Sequence, residues 1–253
     1  MVLMNCTASF VILVVLLLLI PLCSMANERT YRVFCYGDSL TAGLLPSGKH
    51  FPYPEVLRNQ LRRINANIQV DFVGLSGWTA KELIERTDDL KDSVAKGTID
   101  LVILLAGTND LGLSLVPIEG GSTRELEIFN DVWNMHKLAH SKDVRTIAIS
   151  VPGSRYQDNN PQAKATCDRL NSLIKSKCES EPMCTYLQCP VDYSSATSLF
   201  APDGLHFSEE GYTRVAQTLV PMVLKVLGVE KANEHVNYFG SLTTGSTVSG
   251  IST

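Results

Sequence analysis

Short apolar runs alternate along this chain with longer stretches in which apolar side chains recur every three or four residues, and that alternation predicts the architecture. Val33-Phe34-Cys35-Tyr36 reads as a buried strand. A Pro- and Gly-rich stretch at 44–54 leads into a helix over 55–64, with Leu57, Leu61 and Ile64 at helical spacing. Residues 68–73 form the second strand, followed by the turn Gly74-Leu75-Ser76-Gly77. Thr79 is placed to cap a helix carrying Leu83 and Ile84, and a further helical piece runs through Leu90 and Val94. Residues 99–106, interrupted only by Asp100, make the most apolar run after the amino-terminal segment, as a parallel strand buried on both faces would. It ends at Gly107-Thr108-Asn109-Asp110.

A loop at 111–122 precedes a long helix over 124–140, with Leu126, Phe129, Trp133 and Leu138 available for its buried stripe. The fourth strand is 146–151, a helix starts at Pro161 and runs to about Cys178, a short fifth strand covers 184–187, and the last helix covers 209–227. Regular alternation of strand and helix predicts an α/β chain, a three-layer α/β/α sandwich on a mostly parallel five-stranded sheet. There is no internal repeat and no second core, so one domain spans 27–228.

The ends differ from the body. Residues 1–26 contain no charged side chain, residues 10–20 are an unbroken apolar run, and Ser24 and Ala26 suit a cleavage site. A secretory signal peptide removed after Ala26 is the leading expectation, with an uncleaved membrane anchor at 8–23 as the alternative. Either places the body in the secretory route, secreted or tethered. Residues 229–253, rich in Ser, Thr and Gly, are expected to be a disordered tail. Removing the leader leaves Cys35, Cys167, Cys178, Cys184 and Cys189. An oxidising compartment then predicts one or two disulfides among the last four, with the pairing open, and a buried free thiol at Cys35. No C-x-x-C pair suggests a zinc ribbon. The formal net charge of -4, without a basic patch, argues against a nucleic-acid partner.

Candidate chemistry gathers at the turns. Gly37-Asp38-Ser39-Leu40 follows the first strand, so a sharp turn there would lift the Ser39 hydroxyl from the carboxyl edge of the sheet, where ligands bind in open α/β folds. Taken alone it reads equally as a polar turn. Gly77 follows the second strand, Asn109 the third, and Asp203 and His206 stand in the loop before the last helix. Acyl transfer needs this inventory: a serine to attack, a histidine to move its proton, a carboxylate to orient the imidazole, and donors for the oxyanion. The backbone N–H groups of Ser39 and Gly77 and the Asn109 amide are the candidate donors. Asp38 and Asp110 are assigned to bracing the turns. Trp78 is a candidate wall of an acyl pocket with Leu44 or Leu45, the alternative being a packed aromatic. His136 and His140 have the i, i+4 spacing of zinc ligands, but no catalytic Glu and no third ligand accompany them, so no metal is expected. Residues 107–112 mimic the start of a phosphate loop, yet Leu113 stands where its lysine belongs.

Gly37-Asp38-Ser39-Leu40, Ser76-Gly77, Gly107-Thr108-Asn109-Asp110 and Asp203-Gly204-Leu205-His206, in that order, give the chain a resemblance to the SGNH hydrolase superfamily, the GDSL esterases and lipases, over about 31–227. The resemblance implies a flavodoxin-like sheet, a shallow site without metal or cofactor, and hydrolysis or transfer of acyl groups. The segments around Ser39 and Asn109 look most like the small arylesterase and acyltransferase branch. The expectation is a serine-dependent carboxylic ester hydrolase with Ser39 as nucleophile, His206 as base, Asp203 as its orienting carboxylate, and a small-molecule ester as substrate. An acyltransferase or carbohydrate O-deacetylase using the same site is the alternative, and a non-catalytic binding protein on the same fold is a more distant one.

Overall fold

The computed structural model describes residues 29–86, 88–112 and 123–229. The leader at 1–26, most of the loop at 111–122 and the tail from 230 onwards lie outside the described residues. Five strands, β1 (Tyr31–Gly37), β2 (Ile68–Gly74), β3 (Leu101–Leu105), β4 (Arg145–Ile149) and β5 (Cys184–Leu187), form one sheet in the order β2-β1-β3-β4-β5. Every neighbouring pair is parallel, with Val33 opposite Val70 on one side of β1 and Leu101 on the other. The strand path therefore runs from β1 inside the sheet outward to β2, returns past β1 to β3 and continues the other way. Connections leave β1 and β3 on opposite faces, which opens a crevice at their carboxyl ends.

Side chains on a strand point alternately to the two faces, and the two cores follow that period. Val33 and Cys35 of β1, with Leu101, Ile103 and Leu105 of β3, face one core, covered by α2 (Tyr53–Ile64) and by the last helix, Glu209–Leu227. Phe34, Tyr36, Val102 and Leu104 face the other, covered by α3 (Ala80–Glu85), α4 (Asp88–Ala95) and the helices Arg124–His140 and Pro161–Ser180. Leu57 and Leu61 on α2 are fully buried, and each such leucine contributes about 1.5–3 kcal/mol by leaving water. Thr79 caps α3 in a reciprocal box with Glu82.

Two further short helices follow strands: α1 (Ser39–Ala42) after β1 and α5 (Thr108–Gly112) after β3. The long helix α6 (Arg124–His140) packs Trp133, Phe129 and Leu138 on the core as expected, but not Leu126. Leu126 is 42% exposed, while Glu125, Ile128, Val132, Trp133, Met135, His136 and Ala139 are buried. Two polar residues thus belong to the buried face: Glu125 pairs with Arg169, and His136 Nδ1 bonds the Thr146 hydroxyl at 2.8 Å. An apolar count does not see such residues. After β4 come α7 (Arg155–Asn159) and α8 (Pro161–Ser180), and the last helix is α9 (Glu209–Leu227). Cys178 and Cys184 form a disulfide joining the end of α8 to the start of β5, and Cys35, Cys167 and Cys189 are buried free thiols. Burial pushes the Cys35 thiol up to about 12. No helix among the described residues is long and apolar enough to cross a membrane.

Candidate active site

The Ser39 turn is tight because β1 and β3 converge at its base. A Cβ at Gly37 would lie 2.1 Å from the Leu105 carbonyl oxygen, so only glycine fits there. Asp38 then caps α1, its Oδ1 accepting from Leu40 N at 2.9 Å. Ser39 is thereby the first residue of a helix, where a backbone N–H has no intrahelical acceptor.

The loop that meets Ser39 precedes α9. Phe200 and Phe207 pair as an antiparallel bridge, and Ala201 N donates to the His206 carbonyl at 2.8 Å. Within the loop, Asp203 Oδ1 accepts from Leu205 N at 2.9 Å and His206 N at 3.0 Å, and Oδ2 lies 2.8 Å from His206 Nδ1. His206 Nε2 lies 3.0 Å from Ser39 Oγ. With Nδ1–H donating to the carboxylate, Nε2 is left as the acceptor for the serine O–H. Partial burial pushes the Asp203 carboxyl up, but the hydrogen bonds from Leu205 and His206 outweigh it and hold the group below the usual carboxylate range. It remains an anion behind the imidazole. Ser39, His206 and Asp203, up to 167 residues apart, thus form one hydrogen-bonded row.

The other two candidate turns flank this row at the same sheet edge. Gly77 is exposed in the turn after β2, with φ +82°, and Leu75 N ties that turn to the Gly37 carbonyl at 2.8 Å. Asn109 Nδ2 donates to the Trp78 carbonyl at 2.8 Å. A primary amide carries two N–H groups, so the bond fixes the side chain and leaves one donor for a ligand. Asp110 Oδ2 accepts from Ala80 N at 2.9 Å, joining the Asn109 turn to the start of α3.

Asp38 and Asp110 are both buried. Burial raises Asp38 to about 7, with the Asp110 charge adding to the rise against the pull of the Leu40 N–H and Thr108. Burial likewise raises Asp110 to about 6, against the pull of the Ala80 N–H. Below about pH 7 Asp38 is therefore mainly neutral and puts no second full charge beside the Ser39 hydroxyl.

Trp78 is half-buried, packs against the core of the α3 and α6 face, and lies under the Arg86 guanidinium at 5.1 Å. Leu44 stands just beyond α1 with its carbonyl taken by the Tyr212 hydroxyl at 3.0 Å, and Leu45 packs on the opposite core. Trp78 and Leu45 are therefore on different faces of the sheet. His136 and His140 sit far down α6 and share Thr146 Oγ1, at 2.8 and 2.9 Å. Among the described residues, no three His, Cys, Asp or Glu side chains converge on a metal position. Arg155, which carries no signal in the sequence beyond a polar loop, contacts the backbone on both sides of Asp203.

A serine, imidazole and carboxylate in one row, at the switch point of a parallel sheet, make the geometry that serine hydrolases use for acyl transfer. The chain belongs to the GDSL-like lipase/acylhydrolase family, whose model matches residues 35–214. It is 28% identical over 209 residues to an isoamyl acetate-hydrolyzing esterase of Schizosaccharomyces pombe, covering 80% of this chain and 78% of that protein. Among solved structures, the lipase/acylhydrolase of Enterococcus faecalis shares the fold with TM-score 0.61 at 18% identity, over 81% of this chain and 100% of that one. A GDSL-like lipase of Bacteroides thetaiotaomicron does so with TM-score 0.55 at 20% identity, over 77% and 90%. Membership in the family places this chain among ester hydrolases.

Proposed function

We propose that the chain hydrolyses carboxylic esters of small or medium acyl groups through an acyl-enzyme on Ser39. The observation that carries this reading is the Ser39–His206–Asp203 row, with Ser39 Oγ at 3.0 Å from His206 Nε2. In the proposed reaction Ser39 Oγ attacks the ester carbonyl while His206 Nε2 takes its proton. The Asp203 carboxylate holds Nδ1 and stabilises the imidazolium that forms. The N–H groups of Ser39 and Gly77 and the free N–H of the Asn109 amide receive the oxyanion. His206 returns the proton to the leaving alcohol, and water then releases the acid by the same steps in reverse. A related esterase named for an acetate ester supports a short acyl group. Trp78 and Leu44 are proposed to border the substrate, and residues 1–26 to direct the chain to the secretory route.

A chain-length series of p-nitrophenyl esters tests the reading, with Ser39→Ala beside the unaltered protein. Turnover falling with chain length, and lost in Ser39→Ala at unchanged melting temperature, is the expected result. Turnover retained in that variant overturns it.

A further inference from the structure

Asp203 and His206 sit on a loop whose hydrogen bonds are largely its own. The Asp203 carboxyl binds Leu205 N, His206 N and His206 Nδ1, and its side chain is 39% exposed. Those bonds give the loop its shape without anchoring it to the sheet. Phe207, fully buried in the core, anchors the base of the loop, and Arg155, at the first position of α7, holds its tip.

Arg155 N donates to the Gly204 carbonyl at 2.8 Å, and its Nη2 donates to the Pro202 carbonyl at 2.8 Å. Pro202 and Gly204 flank Asp203, so one residue holds the carbonyls on both sides of the carboxylate. The approach is close: Gly204 has φ +69°, and a Cβ there would lie 2.6 Å from Arg155 Cβ and 3.1 Å from its Cζ. The guanidinium is aimed in turn, since Nε donates to the Tyr193 hydroxyl at 2.9 Å and Cζ lies 5.6 Å from the Tyr193 ring centre. Tyr193 meets Phe200 edge-on at 5.2 Å, and Phe200 meets Phe207 at 5.3 Å, so the aromatic that aims Arg155 is continuous with the base of the loop.

We propose that Arg155 is a positioning residue for ester hydrolysis, fixing the Asp203–His206 pair within hydrogen-bonding reach of Ser39. The proposal rests on the functional reading above. Arg155 acts through the loop backbone and touches no reacting atom. Its planar fork serves the Pro202 carbonyl and the Tyr193 hydroxyl at once while lying over the ring, a combination that an ammonium group reproduces only in part. A displacement of about 1 Å at a catalytic pair costs up to about 100-fold in rate.

The test compares Arg155→Met, Arg155→Lys and Tyr193→Phe with the unaltered full chain. Ester kcat and KM, the second-order rate of fluorophosphonate labelling, and the melting temperature are read for each. The grip predicts that Arg155→Met lowers kcat and the labelling rate by the same factor, about 10- to 100-fold, with KM little changed. Arg155→Lys recovers part of that loss, and Tyr193→Phe gives a smaller loss in the same parameters. A lower melting temperature with kcat unchanged assigns Arg155 a structural role and overturns the proposal, as does a change confined to KM. Should Arg155→Met not fold, unchanged kcat in both Arg155→Lys and Tyr193→Phe overturns it. An unaltered protein that neither turns over esters nor takes the label removes the functional reading itself, and the grip with it.

Discussion

Replacing Asp38 with asparagine isolates the electrostatics beneath the Ser39 turn. Asp38 is 0% exposed and titrates at about 7, mainly because burial penalises its charged form, with the Asp110 charge adding to the effect. An aspartate in the unfolded chain ionises near 3.8. Between those values the native protein binds a proton that the unfolded chain has lost, so stability declines as pH rises from about 4 to 7. The full span corresponds to about 4 kcal/mol, of which about 2 kcal/mol falls between pH 5 and pH 7. For a chain of this size the latter is about 4–8 °C in melting temperature. Asparagine keeps an oxygen for the Leu40 N–H and carries no charge, so this slope disappears in Asp38→Asn. The other ionisable groups facing Asp38 are Asp110, Tyr53 and Tyr212. Both tyrosines are raised by burial and stay neutral, and Asp110 titrates in both proteins, so it largely cancels in the difference. Thermal melts from pH 5 to pH 8 should show the variant gaining steadily on the unaltered protein. Parallel curves would refute the raised pKa assigned to Asp38.

Three other substitutions probe separate parts of the account. If Asn109 serves as the proposed oxyanion donor, Asn109→Ala should lower kcat by about 10²–10³ with little change in KM, because such a donor acts in the transition state; steady-state kinetics check this. His136 is fully buried, and burial with the nearby His140 lowers it to about 3, so the native protein keeps it neutral while the unfolded chain protonates it below 6.5. Stability should therefore fall as pH drops from 6.5 towards 3, and acid melts of His136→Asn should converge on those of the unaltered protein. Replacing Cys178 and Cys184 together by serine should cost about 2 kcal/mol, as expected for a short closed loop, and lower the melting temperature at unchanged kcat.

β1 and β3 were legible because a parallel strand buried on both faces must be an apolar run, and the turn after β1 because a glycine is needed where two strands converge. Gly37, Ser39, Gly77 and Asn109 accordingly stand at the carboxyl edge where the alternation places them. On α6, Trp133, Phe129 and Leu138 pack on the core as the spacing indicated, but Glu125 and His136 were missed because they are polar residues satisfied inside the fold, by Arg169 and Thr146. Disulfide pairing was open because the sequence does not say which chain ends meet; the fold brings the end of α8 against the start of β5, so Cys178 meets Cys184. Arg155 was invisible for a related reason. Its meaning exists only once the turn after β4 lies against the Asp203 loop, nearly fifty residues further along the chain.

Fluorophosphonate labelling of the full chain, read by intact mass and peptide mapping, tests the central claim most directly. The account predicts a single adduct on Ser39, lost in Ser39→Ala and slowed in His206→Ala. No adduct on a folded protein, or an adduct elsewhere with Ser39 unmodified, would contradict it.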